Sequence, residues 1–309
     1  MARVYSSSAL IESAVRKAML PETQITFTET DFLAFANEEM DMAIIPYILS
    51  FHEDYYQTFK VVQIQGNKTK YKIPYRAIGN KLRYVHYQDS NGNLYPMHRI
   101  LIEDLSKVQD YGQAAYNVYY YLENDEIVLL SSPNVDTGFL RITYYQRPNA
   151  LVPDNKVSKI LGISGNQVTV TNINLYTVGL LVDIVSAKSP NRIVHEDLLI
   201  TGINTITNTL TLSSSPANIE LGDQLSIAET TAIAQIPTEL QSLLSQRVAA
   251  RCLEALGDQA GLQVANTKIA EIEQKAATLI DSRVEGSPWK VIASSSPLKS
   301  IRRRFWWRR

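Results

Sequence analysis

The feature that most constrains this chain is a change of hydrophobic period along its length. Both ends carry apolar residues at helical spacing, while the stretch from Phe59 to about residue 230 breaks into short β-prone runs divided by Gly, Asn, Asp and Ser. That order points to segregated helices and sheets. The pattern predicts an α+β fold: a helical core from both chain ends, a β domain, an inserted small β-barrel or sandwich, and an extended C-terminal arm. The expected boundaries are 1–56 and 231–285 for the helical core, 57–155 for the β domain, 156–230 for the insert and 286–309 for the arm.

At the N-terminus, Ser6, Ser7 and Ser8 are set to cap a helix whose stripe is Leu10, Ile11, Ala14, Val15 and Ala18, with Pro21 stopping it. A second helix is expected near Thr28, with Asp31 completing a variant of the capping box. Pro46 should kink or end it, although the apolar pattern continues to about Phe51. Near the other end, Thr238 is expected to cap a helix with the stripe Leu240, Leu243, Leu244, Val248, Cys252, Leu253 and Leu256, and Gly257 stands where a C′ glycine belongs. The next helix, from about Gln259 to Arg283, places Leu262, Ala265, Ile269, Ile272, Ala276 and Leu279 on a heptad seam. Such a seam fits intramolecular helix packing or a free coiled coil, and in either case must bury against another helix.

Between these ends, turn dipeptides predict hairpins. FKVVQIQ and KTKYKIP flank Gly66-Asn67, LRYVHYQ and LYPMHRILI flank DSNGN, and VYYYLEN meets EIVLL at Asn124-Asp125. GFLRITYYQ closes the β domain. In the insert, KILGIS and QVTVTNI flank Gly165-Asn166, followed by VDIVSA, DLLITGI, TLTLSS and QLSIAE. Sixteen of the seventeen tyrosines precede residue 146. Tyrosine suits half-buried strands and subunit surfaces, and simple β-propensity explains the same bias.

The net charge of −1 conceals an uneven distribution. Seven basic and no acidic residues lie from Gly286 to Arg309, so residues 1–285 carry 23 basic against 31 acidic side chains, or −8. All three tryptophans, Trp289, Trp306 and Trp307, also lie in that segment. The two prolines and the serine run there leave too few apolar residues for a core, so the segment reads as an arm that orders on a partner.

Signals for catalysis are weak. His52, His86, His98 and His195 show no metal-ligand spacing, although His86 and His98 fall on opposite strands of a predicted hairpin. No phosphate loop, dinucleotide fingerprint or nucleophile elbow is present. Ser296 and Lys299 match a bare SxxK in a segment with no rigid support, and clustered acids such as Glu38, Glu39 and Asp41 read as solvated faces. Cys252, the single cysteine, excludes an internal disulfide and multi-cysteine zinc sites. No apolar window approaches a membrane span, and the N-terminal MARVYSSSALIESAVRKAML lacks the apolar stretch of a signal peptide. The expectation is a protein with no cofactor, no metal and no enzymatic turnover.

The arm carries the functional signal. Arg302, Arg303, Arg304, Arg308 and Arg309 bracket Phe305, Trp306 and Trp307. Arginines neutralise phosphates while rings stack on bases; Trp with Arg also suits a lipid interface or a protein-interface anchor.

Taken in order, several stretches resemble the head-to-tail adaptor (connector, or neck-ring) proteins of tailed bacteriophages. FTETDFLAFANEEMDMAIIPYILSFHEDYY is similar to their opening helix, and KYKIPYRAIGNKLRYV and FLRITYYQRPNALV to their β-domain signatures. IPTELQSLLSQRVAARCLEALGD with the following helix and EGSPWKVI resembles their C-terminal helical pair and trailing arm. The resemblance covers most of 25–292 and implies a structural virion protein, a homo-oligomeric and commonly dodecameric ring at the neck. It implies assembly in the host cytoplasm, docking on the portal protein, a link to a downstream tail or nozzle protein, and non-specific passage of double-stranded DNA. By the same resemblance the portal-binding arm comprises Trp289, Lys290, Lys299, Arg302, Arg303, Arg304, Phe305, Trp306, Trp307, Arg308 and Arg309. The alternatives are a nucleic-acid-binding protein using that arm, and an envelope-active or carbohydrate-acting protein.

Overall fold

The computed structural model describes residues 5–21, 26–66, 68–105, 119–130 and 138–280. It is α+β, with five α-helices and several sheets among those residues. Helix α1 (Ser7–Lys17) starts at Ser6, whose hydroxyl accepts from the Ala9 N–H, and it buries Leu10, Ala14 and Ala18. Helix α2 (Glu29–Glu39) opens with the full capping box, Thr28 and Asp31 each satisfying the other's backbone N–H. Those bonds to Thr28 hold the Asp31 carboxyl below its ordinary value.

Pro46 neither ends nor breaks the helical path. A π-helical turn, Met40–Ile44, intervenes, with the Ile45 N–H bonded to the Met40 carbonyl, and α3 (Ile45–Phe51) follows directly. The wider turn moves the carbonyl that the proline ring would strike, and Pro46 then sits in the first turn of α3, where its missing N–H costs little.

The C-terminal helices are α4 (Gln241–Leu256) and α5 (Gln259–Ile280), which turn back on each other at Gly257, whose φ of 73° suits glycine. Thr238 does not cap α4. It begins a 3-10 turn, Thr238–Leu240, whose preceding residue is Pro237. Along α5, Ala265, Ile269, Ala276 and Ile280 are buried, while Leu279 is 70% exposed. A strict seven-residue repeat drifts by about 20° per heptad on a straight helix, so position 280 has rotated into the seam by the third repeat. The seam packs on α4, and α1 and α2 pack on its remaining surface, giving one helical core from both chain ends. Glu39, expected on a solvated face, is instead buried between Arg247 and Arg251 of α4, with Arg247 also paired to Glu273 of α5.

The β domain is a sandwich of two four-stranded sheets around one apolar cluster. In order, its strands are β1 (Gln57–Gln63), β2 (Lys70–Lys72), β3 (Ala77–Gln88), β4 (Leu94–Pro96), β5 (His98–Arg99), β6 (Tyr119–Glu123), β7 (Glu126–Leu130) and β8 (Phe139–Gln146). One sheet runs β1-β8-β3-β4 and the other β2-β7-β6-β5. The β6–β7 hairpin forms at Asn124, which takes a φ of 52°, and β3 pairs with β4. The hairpin expected around Gly66 does not form: β1 pairs with β8 over seven residues and β2 with β7, so the chain crosses between sheets there. The long β1–β8 ladder outweighs a local turn signal, because a sheet is stabilised by its cross-strand side-chain pairs. Likewise, His98 leaves its neighbours to join β6, so His86 and His98 lie in different sheets.

The remaining strands are β9 (Ala150–Leu151), β10 (Ser158–Ser164), β11 (Gln167–Val170), β12 (Leu181–Val185), β13 (Ile193–Asn204), β14 (Thr209–Leu212), β15 (Gln224–Ile227) and β16 (Thr230–Thr231). Strands β10-β11-β14-β13-β12-β15 close into a barrel around Ile160, Val168, Ile184, Ile200, Leu210 and Leu225. Closure leaves the barrel without free edges. The chain enters and leaves it through the parallel pair β9–β16.

Lys17, at the end of α1, donates to the Ser242 carbonyl (2.8 Å) and the Ser245 hydroxyl (2.6 Å) of α4. Burial, and then the like charge of Lys268, lower its pKa from 10.5 to about 8. Between those values the unfolded chain binds more protons than the folded one, so this residue makes stability rise with pH from about 8 to 10.5. Urea midpoints measured across that window should show the native chain gaining on a Lys17→Met variant as pH rises; a constant difference would contradict the assignment.

Candidate functional site: a buried arginine clamp at the module junction

Arg76 lies in the turn before β3 and is only 4% exposed. Its Nη1 and Nη2 donate to Asp183 Oδ2 and Oδ1 at 2.7 and 3.0 Å, a two-pronged pair that suits the planar guanidinium. Nη2 also donates to Asp197 Oδ1 (2.8 Å), Nη1 to Asn149 Oδ1 (3.2 Å) and Nε to the Tyr75 hydroxyl oxygen (3.0 Å). Asp183, on β12 and fully buried, further accepts from Asn149 Nδ2 and from the backbone N–H groups of Asp197 and Glu229. The Asn149 N–H in turn donates to Gln235 Oε1 at 2.7 Å.

Every module contributes. Arg76 and Tyr75 come from the sandwich, Asp183 and Asp197 from the barrel, Asn149 and Glu229 from beside the β9–β16 ribbon, and Gln235 from the segment entering the C-terminal helices. Burial by itself would lower the Arg76 pKa, but the hydrogen bonds and charge of Asp183 reverse that and raise it. Burial, reinforced by its bond to Asp197, pushes the Tyr75 hydroxyl up to about 12. A carboxylate that accepts from Arg76, Asn149 and two backbone N–H groups has no lone pair left to take a substrate proton. The Asp183 carboxylate is chemically saturated, and the arrangement acts as a clamp.

Two clefts border this junction. One, of about 200 Å³, is lined by Tyr55, Tyr56, Thr58, Arg147, Arg192 and Gln235 among others, and no carboxylate, histidine or cysteine lines it. The second, of about 270 Å³, includes Asn37, Asp41, Arg147 and Glu229. Both fall below the ~300–1,000 Å³ usual for small-molecule sites.

The arm residues Trp289, Lys290, Lys299, Arg302, Arg303, Arg304, Phe305, Trp306, Trp307, Arg308 and Arg309 lie outside the described residues, as does Ser296. His52 is buried, and His195 Nε2 is 2.6 Å from the Ala217 carbonyl oxygen. Cys252 is buried in the helical core, where desolvation pushes its thiol up to about 11. Among the described residues no cluster of His, Cys, Asp and Glu could hold a metal, and no helix is long and apolar enough to cross a membrane. The clamp itself was not legible from sequence. Its only trace is Asp183 inside the apolar run VDIVSA, where a charge signals either an exposed position or a buried partner.

Three separate apolar clusters joined through a saturated ion-pair network define a structural module whose parts are held in fixed relation. A family model described as SU10 adaptor protein matches residues 6–207, from α1 through β13. That is well over half of the chain, and the chain belongs to the SU10 adaptor protein family, in agreement with its resemblance to phage head-to-tail adaptors. No curated protein matches it.

Removing one partner of a buried pair leaves an uncompensated charge, a loss of about 3–5 kcal/mol. Asp183→Asn should therefore lower the denaturation midpoint sharply, and the double replacement Arg76→Met with Asp183→Leu should not recover that loss, because Asn149 and the backbone N–H groups of Asp197 and Glu229 lose their acceptor. Equal midpoints for native and Asp183→Asn chains would show that the clamp does not hold the modules.

Proposed function

We propose that this adaptor assembles as a homo-oligomeric ring, dodecameric as the resemblance implies, that docks on the portal and links it to the tail. Packaged DNA passes through the ring, and the protein's work is assembly rather than turnover. The observation that carries this reading is the family match from α1 through β13. The three apolar clusters support a division into a helical core (1–56 and 231–285), a β domain (57–155) and a barrel (156–230). The arm, 286–309, with its seven basic residues and three tryptophans, is the portal anchor. Trp and Arg are favoured interface anchors because they combine large contact area with directional hydrogen bonds. The remaining −8 charge suits a conduit, since an acidic lumen repels a sliding duplex that a basic one would retain.

Mass photometry of the chain mixed with the portal protein of the same phage should show a discrete portal complex bearing multiple copies. Deleting 286–309 should leave the body folded and abolish that complex. A truncated chain that still binds the portal would remove the arm assignment. Steeply salt-dependent DNA binding without any portal complex would favour the nucleic-acid reading instead.

A further inference from the structure

The outer face of the β1-β8-β3-β4 sheet carries an apolar surface with one arginine on it, and its apolar side chains are partly exposed among the described residues. Leu140, Ile142 and Tyr144 of β8 point into the sandwich core, so Phe139, Arg141, Thr143 and Tyr145 point outward. The register builds three successive rows: Phe59–Thr143–Tyr84, Val61–Arg141–His86, and Gln63–Phe139–Gln88 with Leu94 beside it. Phe59, Val61, Tyr84, Leu94 and Phe139 are between 37% and 53% exposed.

At about half exposure, these five side chains present roughly 400 Å² of apolar surface, within the range of patches that mark interaction sites. That is about half of the ~800 Å² each partner contributes to a standard interface, the apolar share such interfaces have. The Arg141 guanidinium lies 3.8 Å from the Phe59 ring centroid, and no carboxylate among the described residues pairs with it. His86 Nδ1 beside it is buried without a hydrogen-bond partner. Strand β1 is the outer strand of its sheet, and no described strand pairs with its far edge, which is open to another chain.

We infer that this face, centred on Phe59, Val61, Tyr84 and Arg141, is the contact surface for a neighbouring copy of the same chain. Charge selects that occupant: an arginine with no carboxylate partner among the described residues sits on a body of net charge −8, so the next copy supplies the acidic complement. A closed ring is built from heterologous contacts, in which one face meets a different face of the neighbour, and an arginine within an apolar face of an acidic molecule fits that geometry. The inference rests on the ring reading above and locates one side of its lateral interface.

The test uses the full-length chain. A photo-crosslinking phenylalanine analogue at position 59 should yield an adduct of two copies. The pair Phe59→Glu and Val61→Glu, and separately Arg141→Glu, should reduce the oligomer fraction at least tenfold, with the melting transition of the subunit retained. If the native chain forms rings and both variants form them equally, with crosslinks at position 59 reaching only portal, tail protein or DNA, the face assignment falls and the ring stands. If the native chain forms no oligomer alone or on the portal, the ring reading falls and takes this inference with it. Should a variant misfold, the crosslink in the otherwise native chain decides.

Discussion

The structure depends on the buried pairing of Arg76 with Asp183. Taking both charges out of water is costly, and the cost is offset only because the guanidinium and carboxylate meet at two points and share further donors and acceptors from Asn149, Tyr75, Asp197 and Glu229. An apolar core could stabilise the same junction as well or better. What a saturated polar network adds is directional, since each bond constrains the angle between the parts it joins. In this chain those parts are three modules with separate apolar clusters, so the clamp sets their relative orientation more than their individual stability.

Other polar links reinforce the junction. Ser7 and Ser8 at the start of α1 donate to the Asp154 carboxylate just beyond β9, and the Ser7 N–H bonds the Ala232 carbonyl. The Gln146 N–H reaches the Tyr56 carbonyl, and the Arg147 N–H reaches that of Arg76. Within the helical core, Glu39 is held between Arg247 and Arg251, tying α2 to α4 across the apolar seam. The barrel, entered and left through two short parallel strands, would otherwise pivot on a two-stranded hinge. Fixed module geometry is the property that these links give the chain.

Charge is partitioned to match. The chain combines a body of net charge −8 over residues 1–285 with a basic, tryptophan-bearing terminus, and under the proposed function these would serve two physical tasks, repelling the DNA backbone and anchoring to a partner. The outer sheet face adds a local exception, an arginine stacked on phenylalanine within an apolar surface.

The sequence alone determined the elements whose causes are local. Ser6 and Thr28 begin helices because their side chains satisfy free N–H groups within the next turn. Gly257 ends one because only a residue without a Cβ enters the left-handed region freely. Gly165 marks a turn for the same reason, and Asn124 marks another because its short polar side chain tolerates a positive φ. The order of the segments was sufficient to recognise the adaptor family. Tertiary structure decided what depends on distant partners. It sent β1 to β8 rather than to β2, rotated Ile280 into the seam in place of Leu279, passed the helix through Pro46 by a π turn, and buried Glu39. Above all it brought Arg76 to Asp183 across 107 residues of chain. The burial that makes that pairing obligatory is a property of the folded interior, and no window of the sequence contains it.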